Sequence, residues 1–236
     1  IKVIGSNFYI GGSSVNSSNI EKAGYWKNGT WNLLTPISST KNSRVNSISV
    51  FGSDVYSAGY CYNSSDISIP GYWENDTWHA NTYLTRNKNS SVNSIVLSGP
   101  GPFVYTGGYC INSSGLYAAG HWKSGTWNSY EPMSLDKSAL ATSIVLYGKD
   151  IYAAGISVNS SNVQVACYWK NGVFNYLPSI DETQNSYAAS IAVSVGDVYV
   201  AGYGKNSSGL LIAGYWKNSQ WYPLTPYDST KDSTAN

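Results

Sequence analysis

The chain has 236 residues, of which 11% are charged, and a formal net charge of +1. That length holds one sizeable core or two small ones. The charge balance gives no electrostatic case for nucleic acid or an anionic membrane, and no stretch reaches the roughly 18–20 apolar residues of a membrane span. No nucleic acid partner and no membrane insertion are therefore expected.

Aromatic residues make up 14%, with 21 Tyr and 9 Trp. Tyr, Trp, Val and Ile favour strands, and Gly, Asn and Ser favour the turns between them. The sequence starts at Ile1, in mid-pattern and without Met, and is expected to be a mature or excised portion of a longer precursor. There are three cysteines. Cys61 and Cys110 hold the same place in two repeats and Cys167 sits elsewhere, so they are read as small buried residues rather than a disulfide framework.

Trp26, Trp73, Trp122, Trp169 and Trp216 are spaced 47, 49, 47 and 47 residues apart. Each lies in a similar phrase: GYWKNGTW, GYWENDTW, GHWKSGTW, CYWKNGVF and GYWKNSQW. Tyr9, Tyr56, Tyr105, Tyr152 and Tyr199 keep the same register, each before a small pair ending in Gly. The two extra residues of the third copy fall around Gly99–Pro102. The copies run approximately over 1–46, 47–93, 94–142, 143–189 and 190–236.

Within the second copy, Asn46–Phe51 reads as a first strand, followed by a Gly52-Ser53 turn. Asp54–Cys61 is a second strand, Asn63–Asp66 a polar turn and Ile67–Glu74 a third strand. Asn75-Asp76 is a two-residue hairpin turn, like Asn28-Gly29 in the first copy, and Thr77–Tyr83 is a fourth strand. Four antiparallel strands per repeat and no helical periodicity predict an all-β, five-bladed β-propeller with blades contiguous in sequence. Solenoid coils usually carry fewer strands in fewer residues. Ile1 aligns with Ile48 and Asn236 with Asn46, so five copies in phase suggest a closed ring. Trp26 and Trp31 flank a two-residue turn and are expected to face each other across the hairpin.

All nine Trp fall at two repeat positions, and Phe174 fills the tenth place. None is left over as a sugar-stacking platform. Asp54, Asp150 and Asp197 recur at the turn between strands one and two, a usual Asp role. Glu74 and Asp76 are placed at a hairpin tip, and Asp66, Glu131, Asp136, Asp181, Glu182, Asp228 and Asp232 in loops. The first strands (IKVI, ISVF, IVLS, IVLY, IAVS) hold no acid. No carboxylate is expected within an apolar strand, where burial would raise its pKa for acid–base work. His79 and His121 are the only histidines, and His121 stands where other copies have Tyr. No catalytic residue, metal site or cofactor is expected, and the chain is expected not to be an enzyme.

One surface feature repeats. Asn16, Asn63, Asn112, Asn159 and Asn206 each head Asn-Ser-Ser at the turn between strands two and three. Each is an acceptor sequence for N-glycosylation, as are Asn28, Asn75 and Asn89. Asn-Ser-Ser is also good turn chemistry without any sugar.

The phrases GYWKNGTW, NSISVFGSDVYSAGY and DVYVAGY resemble tandem-repeat β-propeller proteins with YWKNG-type repeats, common among secreted and surface-attached microbial proteins. The resemblance spans the whole chain. It implies the propeller architecture and an extracellular or cell-surface location, and it brings no catalytic residues. The expected function is an extracellular structural or assembly glycoprotein, a surface or filament component that self-associates into a fibre or layer and carries N-glycans. The alternative is a multivalent lectin with one sugar site per blade. A lectin should repeat polar and aromatic loop residues together, whereas only the Asn-Ser-Ser turn repeats.

Overall fold

In a computed structural model, residues 1–99 and 101–236 are described. Pro100, within the expected insertion of the third copy, lies outside the described residues. The period-two patterning of the repeat is realised as twenty strands in five four-stranded sheets, with no helix among the described residues. The first sheet is β1 (Lys2–Ile4), β2 (Asn7–Val15), β3 (Glu21–Lys27) and β4 (Thr30–Leu33). The second is β5 (Ser43–Phe51), β6 (Asp54–Tyr62), β7 (Ser68–Glu74) and β8 (Thr77–Ala80). The third is β9 (Ser90–Ser98), β10 (Phe103–Ile111), β11 (Tyr117–Lys123) and β12 (Thr126–Ser129). The fourth is β13 (Ala139–Tyr147), β14 (Asp150–Val158), β15 (Gln164–Lys170) and β16 (Val173–Tyr176). The fifth is β17 (Ser186–Ser194), β18 (Asp197–Lys205), β19 (Leu211–Lys217) and β20 (Gln220–Pro223).

Each sheet is a meander whose strands lie side by side in sequence order. An all-β chain of five such sheets belongs to the five-bladed β-propeller class. The chain divides into two compact units, Ile1–Gly115 with His121–Asn128, and Leu116–Gly120 with Ser129–Asn236.

The hairpins are tight because their residues tolerate left-handed backbone. Asn28 and Gly29 have φ of 50° and 85°, and Asn218 and Ser219 have 48° and 69°. Such turns match the twist of antiparallel strands. The first strands depart from the sequence reading: β5 starts at Ser43, three residues before the expected Asn46. The polar Ser-Arg start concealed it, and a bulge interrupts the alternation. Val45 pairs with Gly59 and Ser47 with Ala58, leaving Asn46 unpaired. The same shift occurs at Asn93, Thr142 and Ala189. The bulge drives a carbonyl inward, so a Cβ on Gly59 would meet the backbone oxygen of Arg44. Gly108, Gly155 and Gly202 meet the oxygens of Ser91, Leu140 and Tyr187 in the same way. This close approach explains the recurrent glycine in the second strand.

Within each unit, the first Trp of a blade anchors it to the link that follows the preceding blade. Trp73 and Trp122 donate their indole N–H to the carbonyls of Thr35 (2.8 Å) and Thr82 (2.6 Å) in the first unit. Trp169 and Trp216 donate to Glu131 and Pro178, both at 2.6 Å, in the second. The hairpin tip of the anchoring blade takes the N–H of the link residue. The Thr35 N–H donates to Asp76 Oδ1 (2.6 Å), the Thr82 N–H to the Gly125 carbonyl (2.9 Å) and the Glu131 N–H to the Gly172 carbonyl (3.0 Å). Trp73, Trp169 and Trp216 are wholly buried. Each first Trp packs on its hairpin partner as expected, with ring centroids 4.4–4.6 Å apart in the Trp–Trp pairs.

Trp122→Ala is expected to cost about 3–5 kcal/mol, through a cavity and a carbonyl left without its donor. Trp122→Phe keeps most of the area and should cost less. Denaturant midpoints of both variants check this; equal losses would show that the buried ring area contributes nothing beyond the indole N–H, which both variants lack.

Candidate functional site

The five Asn-Ser-Ser segments are built as one kind of turn. The Asn63 side-chain oxygen accepts the backbone N–H of Ser65 (2.9 Å) and of Ile67 (3.1 Å). The main chain closes the same turn, with the Asp66 N–H donating to the Asn63 carbonyl and the Asn63 N–H to that of Ile67. Asn16, Asn159 and Asn206 repeat both side-chain bonds at 2.9–3.0 Å. Asn112 heads the equivalent turn, its carbonyl accepting the Gly115 N–H. The fourth residue has positive φ in every copy: Asn19, Asp66, Gly115, Asn162 and Gly209, at 60–84°. Only Asn, Asp and Gly stand there, the types that adopt this conformation most readily.

The Nδ2 of Asn16, Asn63, Asn159 and Asn206 donates no hydrogen bond among the described residues, so the turn uses one half of the amide and leaves the other. The hairpin asparagines differ. Asn28 accepts the Phe8 N–H and also donates Nδ2 to Asn7 Oδ1 (2.7 Å). Asn75 accepts the Val55 N–H and donates to Asp54 Oδ1 (3.2 Å). Asn89 is exposed in the link before β9, where its Oδ1 accepts the Ser68 N–H (3.0 Å).

These bonds account for the recurrent acids. Asp150 and Asp197 accept Asn171 and Asn218 as Asp54 accepts Asn75. Each also pairs with a lysine, Lys170 at 3.0 Å and Lys217 at 2.9 Å. The Asn171 hydrogen bond and Lys170 hold the Asp150 carboxyl below the usual range; for Asp197, Lys217 leads and Asn218 follows. Glu74, expected at the hairpin tip that ends the third strand, and Glu21, which the sequence reading did not place, lie at strand ends. Glu74 closes β7 and accepts the Tyr56 hydroxyl (2.9 Å). Glu21 opens β3, where it accepts Ser13 Oγ (2.5 Å) and lies 3.4 Å from Arg44.

His79 stacks on Tyr72 with centroids 5.0 Å apart and lies 3.7 Å from Glu74. His121 is 8% exposed and stacks against Tyr105, filling the repeat Tyr position. Burial pushes its imidazole down to about 4. Cys61, Cys110 and Cys167 are free and buried, and burial pushes the Cys61 thiol up to about 12. Such thiols are poor nucleophiles. Among the described residues no group of three His, Cys, Asp or Glu is placed to hold a metal ion.

The first blade carries a pocket of about 390 Å³ walled by Val15, Trp31, Leu33 and Pro36. Lys22 and Ser39 also line it, and sequence reasoning passed over Lys22. Its signal was there: the place four residues before the first Trp holds Lys22, Ile69, Ala118, Val165 and Ile212. The fifth blade has a counterpart of about 330 Å³ lined by Ile212, Pro223, Pro226 and Ser229, with no aromatic residue.

No protein family matches the sequence, and no curated protein does. Solved structures are similar to this chain at low identity and with TM-scores under 0.5. A fucose lectin from Kordia zhangzhouensis, in complex with methyl-fucoside, is 17% identical, covers 55% of this chain and 95% of its own, and has a TM-score of 0.40. YCF48 bound to D1 peptide is 15% identical over 92% of this chain and 64% of its own, with a TM-score of 0.46. RS223 β-xylosidase is 11% identical over 94% of this chain and 93% of its own, with a TM-score of 0.44. The xylosidase corrects one expectation: an enzyme stands among the similar folds, so the chain is not excluded from being one. At these identities neither activity nor ligand passes to this chain.

Asn63→Ala removes both side-chain bonds of its turn and is expected to cost about 1–3 kcal/mol, whereas Asn63→Asp keeps the acceptor and should cost less. Thermal unfolding of the pair checks this, and equal melting points would overturn it. His121 adds a pH dependence. Its folded pKa, about 4, is below the ordinary 6.5, so the unfolded chain binds more protons between these values. Stability is expected to fall as pH drops from about 6.5 towards 4, by about 3 kcal/mol at most. His121→Tyr should flatten that slope in unfolding curves taken across this window.

Proposed function

We propose that this chain is an extracellular structural or assembly glycoprotein, a surface or filament component whose β-propeller scaffold carries N-glycans on the Asn-Ser-Ser turns. The observation that carries the reading is the division of labour within the turn amide. Oδ1 of Asn16, Asn63, Asn159 and Asn206 is committed to the backbone, while Nδ2, the atom to which a glycan attaches, is free. A sugar at Asn16, Asn63, Asn159 or Asn206 therefore leaves the turn intact. At Asn28 and Asn75 a sugar must share Nδ2 with the bond to Asn7 or Asp54, so these two are the poorer acceptors.

The low charge and the repeated polar turn fit a surface or filament component better than an electrostatic binder. Self-association into a fibre or layer goes with that role, and electron microscopy of native material tests it: isolated monomers alone would refute assembly.

The glycan reading is tested by expression in a eukaryotic secretory host, with intact mass measured before and after enzymatic glycan removal. Glycopeptides are expected at the Asn-Ser-Ser turns. Ser65→Ala destroys the acceptor sequence but keeps both Asn63 hydrogen bonds, and should lower the mass by one glycan at unchanged melting temperature. An unglycosylated secreted protein would sink the reading.

A further inference from the structure

Lys22 breaks the rule of its own repeat. The other four blades hold Ile69, Ala118, Val165 and Ile212 at this place. Lys22 is only 9% exposed. Its ammonium donates to the carbonyls of Ser39 (2.5 Å) and Lys41 (3.3 Å). No carboxylate pairs with it among the described residues, and an ammonium has three donors, so one donor has no protein acceptor and the charge has no counter-ion. Burying a charge without a counter-charge is unfavourable, and breaches of a local rule concentrate at functional sites.

The surroundings name the missing partner. Lys22 and Ser39 line the pocket of about 390 Å³ beside the first blade, with Trp31 and Pro36 as apolar walls and Ser14 and Asn16 as polar ones. That volume lies at the small end of ligand pockets, which run roughly 300–1,000 Å³ and combine apolar walls with a few polar groups. It suits a single ring. We propose that this pocket binds an acidic sugar, its carboxylate on Lys22, its C–H face on Trp31 and its hydroxyls on Ser14, Asn16 and Ser39. The fifth-blade counterpart has Ile212 in place of the lysine, so the acidic site is single and is not repeated in every blade.

Asn16 also belongs to the glycan-bearing set, so the test uses protein made in bacteria, without glycans, and its outcome does not depend on the glycan reading. Glucuronate, glucose and benzoate are titrated while Trp fluorescence and calorimetry are followed. Glucuronate is expected to bind saturably, tighter than benzoate and at least about tenfold tighter than glucose, the latter a difference of about 1.4 kcal/mol or more. Lys22→Ile installs the residue of blades two and five and should abolish the preference for glucuronate over glucose. Trp31→Phe should weaken both sugars about equally and keep the preference. The proposal is overturned by undiminished glucuronate binding in Lys22→Ile, by glucose or benzoate binding as tightly as glucuronate, or by no saturable binding of glucuronate.

Discussion

A dry polar group without a partner is costly, and the first indole of blades two to five escapes that cost, whereas Nε1 of its hairpin partner Trp78, Trp127 or Trp221 has no hydrogen-bond partner among the described residues. Trp73, Trp122, Trp169 and Trp216 escape it in the same way, each through a backbone carbonyl in the link after the preceding blade. Much else follows from this. The link is fixed at its carbonyl by the indole and at its N–H by the next hairpin, so its path is set by the blade ahead of it. Asp76 can replace the glycine of other hairpins because its carboxylate takes over the role of the Gly125 and Gly172 carbonyls. The second Trp of each pair packs on the first, which carries the anchor outward to the edge of the sheet.

The recurrent polar side chains of the hairpins are committed to one another. Asp54, Asp150 and Asp197 hold hairpin asparagines, and the histidines stack on tyrosines. Against that background two features stand out: an amide half left over in the Asn-Ser-Ser turns, and an ammonium left over beside the first blade. The first repeats with the architecture and the second does not.

The repeat was legible in the sequence because its determinants are large or conformationally special. Tryptophans spaced by 47 residues and Asn-Gly turns cannot be produced by other local structure at that regularity. The Trp26–Trp31 facing pair followed from a two-residue turn alone. The first halves of the first strands were hidden, since Ser43 and Arg44 are polar and Asn46 breaks the alternation as a bulge. Glu21 and Lys22 were hidden for another reason. They sit side by side on opposite faces of β3, and only comparison of that place across all five copies shows Lys22 to be foreign. The Asn-Ser-Ser motif was visible at once. Its reason was not, because the two hydrogen bonds to one oxygen depend on a left-handed fourth residue whose three types (Asn, Asp, Gly) read as ordinary loop composition.

The bulge and its glycine bear on how such a repeat tolerates length change. Asn46 is an extra residue in the ladder, and its Nδ2 reaches the Val92 carbonyl (2.7 Å) in the next blade; Thr142 reaches Ala188 (2.8 Å) in the same way. Deleting one residue here would restore a plain ladder and send Ser43–Val45 to the opposite face of the sheet, since side chains alternate with period two. It would also cut the link to the neighbouring blade and withdraw the Arg44 oxygen that demands Gly59. One indel thus alters facing, neighbour contact and the constraint on a residue thirteen positions away. Inheritance of the extra residue and the glycine is epistatic, and a viable loss of either has to be compensated in two strands together.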